Sequence, residues 1–187
     1  MDIPVMFRGA VAEFDSRIRQ VGDHHWLSAT PDEGWTVRDL VNHVVGEDLW
    51  APLLLAGSTV AEVGDRFEGD VLGAAPAEAW AAASAAAVRA VEDDGALDRT
   101  VHLSFGDFPG REYALQLFAD HLIHAWDLAR ALGADERLDA GLVASCASWF
   151  EPMEDAYRSA GAIAARPPVP GHADPQAVLL ARFGRQA

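Results

Sequence analysis

Between Gly110 and Gly133 the chain carries no proline and no further glycine, and Leu115, Phe118, Leu122, Trp126 and Ala129 recur at helical spacing. That pattern predicts one amphipathic helix over 110–132, stopped at Gly133, with an apolar face that other helices must cover. A second row runs beside the stripe, formed by Asp120, His124 and Asp127 at i, i+4, i+7. On an ideal wheel these three fall within an arc of roughly 60°. A carboxylate and an imidazole one turn apart can grip one divalent cation, but they supply only two ligands of a mixed N/O site. Such a helix is half of a centre, and a third ligand has to come from elsewhere.

His121 competes with Asp120 for that role. It is i, i+3 with His124, a spacing that also permits joint ligation, yet it lies roughly 60° from His124 and roughly 100° from Asp120 on the wheel. One of the two must point away, and periodicity leaves the choice open.

Punctuation along the chain predicts further helices. The first spans about Pro4 to Val21, followed by a loop from Asp23 to Trp35. Thr36 can cap a second helix, with Asp39 as reciprocal partner and Trp35 placed to staple onto Leu40. That helix should bend at Gly46 and Pro52 and end near Gly57. Ser58 to Gly73 reads as loop with little regular structure, and a third helix should run from Pro76 to about Asp94. Thr100 to Phe105 alternates and is followed by Gly106 to Gly110, an extended segment or hairpin-like loop. After the long helix, a fifth is expected over Ala140 to Ser159, kinked at Pro152. Residues 166–170 must be extended, and Asp174-Pro175 opens a last short helix through Phe183. No repeat and no long linker appears, so residues 1–187 are expected to form a single all-α domain, a helical bundle with one odd extended segment.

Composition narrows the partners. The formal charge is -15 across 187 residues, and all 14 basic residues are arginine. Nucleic acid and anionic membranes are therefore not expected partners. No apolar run reaches about 18 residues and no charged-then-apolar leader pattern opens the chain, so a soluble protein is expected. The single cysteine, Cys146, allows no internal disulfide and suits a reducing, cytoplasmic setting.

His43 is the candidate third ligand, since it sits between Leu40 and Val44 and so faces the core side of the second helix. Three protein ligands with the remaining positions open describe a catalytic site, not a closed structural one. Glu47, one turn beyond His43, can be read as a fourth ligand, as a base acting on a metal-bound water, or as a surface residue. Each residue also has a plainer reading. A helix histidine is more often a hydrogen-bonded core residue, Asp120 alone a solvated charge, and Asp127 a partner for Arg130 or Arg38 or an orienter of a ligand histidine. His24, His25, His102 and His172 read as loop surface, Trp26, Trp50, Trp80, Trp126 and Trp149 as core, and Cys146 as a small buried hydrophobe.

Thr30-Pro31, the segment from Gly34 to Gly46, and the segment from Asp120 to Ala129 together resemble a known family. It is the actinobacterial-type metal-binding proteins related to the N-terminal domain of mycothiol-dependent maleylpyruvate isomerase, within the DinB-like four-helix bundles. Val101 to Gly110 and Asp174 to Arg185 are similar to it as well. The resemblance implies His43, Asp120 and His124 as ligands of a divalent metal, zinc or nickel, and so favours Asp120 over His121. It implies for Asp127 a place beside the metal, catalytic or orienting. It also implies activation of a low-molecular-weight thiol such as mycothiol for transfer or isomerisation, because metal coordination deprotonates a thiol. Two departures accompany it: Asp120 stands where the isomerase has Glu, and one short helix stands where the isomerase has a further domain.

The leading expectation is thus a cytoplasmic metal-dependent enzyme, a thiol S-transferase or isomerase-like protein. It would act on a small-molecule thiol and an electrophile, with Asp127 and Glu47 as catalytic candidates. The alternative is a non-catalytic bundle that binds a small ligand or a partner protein, its metal structural or absent. A purely structural bundle is the third reading, and a homodimer is compatible with all three.

Overall fold

The computed structural model describes residues 2–187, and its architecture is all-α with one small hairpin. Four long helices make the bundle: α1 (Ile3–Ile18), α2 (Val37–Leu55), α4 (Pro76–Glu92) and α5 (Gly110–Leu132). Around its perimeter α1 packs on α5, α5 on α2, α2 on α4 and α4 on α1, a closed four-helix arrangement. This is the all-α bundle that the sequence leads one to expect.

One start signal and one stop signal operate as the residues predict. Thr36 and Asp39 exchange side-chain and backbone hydrogen bonds at the head of α2, satisfying donors that the first turn leaves orphaned. Gly133 takes the left-handed conformation, φ 64°, and closes α5 at the predicted residue. The alternating segment is an antiparallel hairpin, β1 (Thr100–Leu103) with β2 (Gly106–Pro109), in the register Val101 to Phe108. The hairpin feeds directly into Gly110, where a Cβ would collide with the carbonyl oxygen of Ala96. Only glycine lets the chain turn into α5 so close to that backbone.

Three expectations need correction. The first helix ends at Ile18 instead of Val21, because Gln20 and Val21 donate to carbonyls only three residues back, a tighter turn. The segment 58–73 contains a single-turn helix, α3 (Val60–Val63), held by a Thr59–Glu62 capping box. The predicted fifth helix is two, α6 (Ala140–Phe150) and α7 (Glu154–Ser159). Pro152 has no N–H to donate, and it breaks the helix instead of kinking it. Gly46 and Pro52, by contrast, both lie inside the continuous helix α2.

The last helix, α8 (Pro175–Arg182), is capped by Asp174 and packs with α6 against the α5 side of the bundle. Among the described residues no helix is long and apolar enough to cross a membrane.

Candidate metal centre

α2 and α5 face each other across an interface that places several polar residues among apolar ones. His43 Nε2 stands 3.3 Å from Asp120 Oδ1, and His124 Nε2 stands 3.4 Å from the same oxygen. Ligand atoms of His43, Asp120 and His124 all lie within 4.8 Å of one another. The spacings exceed the ~2.7–2.9 Å of a charge-assisted hydrogen bond. They match the ~3.3–3.4 Å separating two donors that each sit ~2.0–2.1 Å from one tetrahedral ion. The second oxygen of Asp120 is buried without a hydrogen-bond partner. An orphaned buried carboxylate oxygen beside two imidazole nitrogens is a donor set suited to a divalent cation.

Trp35, one residue before the α2 cap, stacks over His124 at 6.0 Å and 18° and lies 5.1 Å from His43. Behind His124, Asp127 is fully buried and its Oδ2 accepts from His124 Nδ1 at 3.0 Å. With Nδ1 donating to Asp127, Nε2 is the nitrogen that faces Asp120 and is the one a metal would take once its proton is displaced. Asp127 in turn is gripped by Arg185, which follows α8, and Arg185 also reaches Asp32 in the loop before α2. Asp32, His124 and Asp127 form a second close carboxylate-imidazole group, but the Arg185 guanidinium already lies against both carboxylates. That group has its cation.

The charges are strongly perturbed. Burial opposes ionisation of Asp120, yet His124 and His43 hold its carboxyl well below the usual carboxylate range. Burial likewise works against charge on His124, but Asp120 and Asp127 outweigh it and lift the imidazole to about 10. Glu47 is pushed up by burial and then by the neighbouring Asp120 charge. Burial and the Asp127 charge also raise Asp32.

The centre opens on a cavity of about 420 Å³. Asp32, Glu47, Asp120 and His124 supply its polar lining, and Leu117, Ile123, Trp149, Tyr157, Ile163 and Phe183 its apolar lining. The hydroxyl of Tyr113, also on its wall, is buried without a partner.

Of the residues singled out from sequence, the fold brings His43, Asp120, His124 and Asp127 together. Glu47 lines the cavity outside the ligand cluster, which makes it neither a clustered ligand nor a plain surface residue. His121 turns the other way, with Nε2 3.2 Å from Asp48, Nδ1 2.8 Å from the Leu117 carbonyl oxygen, and both side chains fully buried. Asp127 pairs with Arg185, not with Arg130 or Arg38, which bind Glu136 and Asp70. Trp149 belongs to the cavity wall as well as to the packing. Sequence reasoning missed Asp32, Tyr113 and Arg185. Arg185 closes the segment from Asp174 that shares in the family resemblance, but no role was assigned to it there.

The family model of the mycothiol maleylpyruvate isomerase N-terminal domain matches residues 7–129. The chain belongs to that family. The mycothiol maleylpyruvate isomerase N-terminal family is DinB-like and in general metal-binding. Its matched region contains His43, Glu47, Asp120, His124 and Asp127, whereas Trp149, Tyr157, Phe183 and Arg185 lie beyond it. Two curated proteins of Mycobacterium tuberculosis strains, "Uncharacterized protein MT0763" and "Uncharacterized protein Rv0738", are each 34% identical over 117 residues. The alignment covers 60% of this chain and 58% of each relative. No solved structure matches.

Proposed function

We propose that the protein binds a divalent metal through His43, Asp120 and His124 and catalyses transfer of a low-molecular-weight thiol of the mycothiol type to a small electrophile. The observation that carries this reading is the spacing of the three donors on facing helices, at the edge of a cavity large enough for a substrate. The family match supports it. Zinc and nickel both suit two imidazoles and a carboxylate. When bound, the metal lowers the pKa of a coordinated thiol so that its sulfur is a thiolate at neutral pH.

The chain's own residues then have separate tasks. Asp127 holds His124 through Nδ1; fully buried and outside the cavity lining, it works through that imidazole and not on the substrate. Glu47, whose carboxyl is already raised by burial, stands in the wall to accept the proton the thiol releases. The unpaired Tyr113 hydroxyl offers a hydrogen bond to a substrate polar group. The apolar wall of Trp149, Ile163 and Phe183 keeps water from the reacting sulfur and receives the body of the electrophile.

Metal analysis of protein purified without a metal-affinity tag tests the ligand assignment. About one equivalent of metal per chain is expected, lost on His43→Ala and on His124→Ala. Unchanged metal content in both variants would overturn it. Incubation with a low-molecular-weight thiol and an electrophile should give a metal-dependent conjugate, reduced by Glu47→Gln. No metal-dependent conjugate from the fully loaded protein would leave a metal-binding bundle without turnover.

A further inference from the structure

We propose that Arg185 is a positioning residue of the metal centre, tying the C-terminal helix to His124 through Asp127. The inference rests on the metal assignment above, and it concerns a residue outside the region the family model matches.

The geometry is a chain of contacts that ends at a ligand. Arg185 Nε donates to Asp127 Oδ1 at 3.2 Å and Nη2 to Asp127 Oδ2 at 2.8 Å, so one guanidinium fixes both carboxylate oxygens. The same Nη2 donates to Asp32 Oδ1 at 2.6 Å, and Nη1 to the Phe183 carbonyl oxygen at 3.0 Å. Asp127 Oδ2 is also the acceptor for His124 Nδ1. A two-point grip stops the carboxylate from rotating, and the fixed carboxylate sets the plane of the imidazole and keeps its proton on Nδ1. Nε2 is thereby held toward Asp120 and His43. Lysine, with one nitrogen, cannot reproduce the fork.

The local fold is built to deliver that guanidinium. α8 ends with Gly184 at φ 83°, its N–H bonding to the Ala181 carbonyl oxygen and the Arg185 N–H to that of Leu180. Those two bonds are a Schellman motif, which reverses the chain and sends Arg185 back across the helix end. A Cβ on Gly184 would press on Ala164, so the reversal is also tightly packed. Asp127 is fully buried, and without Arg185 its charge would keep only the His124 hydrogen bond. The guanidinium therefore both neutralises and aims it.

The test uses full-length protein loaded with cobalt(II), read by chelator competition and by the ligand-field spectrum. Arg185→Ala should weaken cobalt affinity by roughly 10- to 100-fold, the usual effect of losing a residue that orients a ligand, and should shift the visible bands. Arg185→Lys, which keeps the charge, should recover part of the affinity but not the wild-type spectrum. Arg182→Ala is the control, because Arg182 ties α8 to Glu151 and the Ala147 carbonyl and touches no ligand. It should lower thermal stability with affinity and spectrum unchanged. If Arg185→Ala does not fold, the comparison of Arg185→Lys with Arg182→Ala decides. Wild-type affinity and spectrum in the folded Arg185 variants overturn the positioning role while leaving the metal assignment standing. A wild-type protein that takes up no cobalt overturns both.

Discussion

His121 and His124 are three positions apart on α5, yet the first is sealed against Asp48 among Phe7, Phe14 and Trp80 and the second faces the cavity. His121 is a residue of the fold. Replacing it with alanine leaves the buried Asp48 carboxylate uncompensated, which should destabilise the protein by about 3–5 kcal/mol in urea unfolding while metal per folded chain stays the same. Lost metal with unchanged stability would reverse that assignment. Burial opposes charge on His121, but Asp48 outweighs it and raises its pKa. The pair's stabilisation is therefore full below about pH 6.5, the ordinary imidazole value, and is lost as pH rises through the folded-state value. His124 yields a different pH effect. With its imidazole at about 10 it carries a proton at neutral pH, and a metal must displace that proton. Metal uptake should release protons and tighten as pH rises, measurable by calorimetry in buffers of different ionisation enthalpy. Binding heats independent of the buffer would count against His124 as a ligand. The wheel placed His121 well away from Asp120, but only the fold, which sets Asp48 opposite His121 on α2, decides which of the two turns inward. Asp32 and Arg185 were illegible for a related reason. They lie 153 positions apart, and no local period relates them to Asp127.

At the scale of elements, α2 and α5 were readable because local chemistry marks their ends: a capping box, a left-handed glycine, an uninterrupted apolar stripe. α3 was not, since a four-residue helix has no periodicity and only its Thr59–Glu62 box announces it. Pro152 was read in the right place with the wrong consequence, because whether a helix survives a proline depends on what packs beyond it. Glycines on the two site-bearing helices make opposite predictions. At Gly110 a methyl group has nowhere to go against the Ala96 backbone, so Gly110→Ala should destabilise by about 1–3 kcal/mol or more. At Gly46, inside α2, a methyl meets nothing within 4 Å. Gly46→Ala should stabilise by roughly 0.5–1 kcal/mol through helix propensity. Paired denaturant titrations check both signs; a destabilised Gly46→Ala would mean that α2 needs the flexibility expected of that position.

For the whole molecule, the cavity's charge bears on which electrophile it accepts. Its carboxylates come from α2, α5 and the loop before α2, and its apolar lining from α5, α6, α7, the segment after α7 and the end of α8. The cation in the cavity wall, Arg185, is engaged by Asp32, Asp127 and the Phe183 carbonyl, and the chain around it carries a net -15. With a thiolate at the metal and its proton on Glu47, a carboxylate on the electrophile would face the Asp32 carboxylate without a free positive partner. One such like-charge contact at ~8 Å and an effective dielectric of ~20 is worth about 2 kcal/mol before screening. Neutral apolar electrophiles should therefore be preferred by at least roughly tenfold in kcat/KM, or about 1.4 kcal/mol. A matched pair tests this: 1-chloro-2,4-dinitrobenzene against 4-chloro-3-nitrobenzoate, each divided by its uncatalysed rate with the same thiol. In both, the sulfur bonds to the ring carbon and chloride leaves, so the pair differs in charge more than in chemistry. Added salt should narrow the gap by screening the more exposed carboxylates, and Asp32→Asn should narrow it further. Equal acceleration of the two at low salt would mean that the carboxylate wall does not select the substrate.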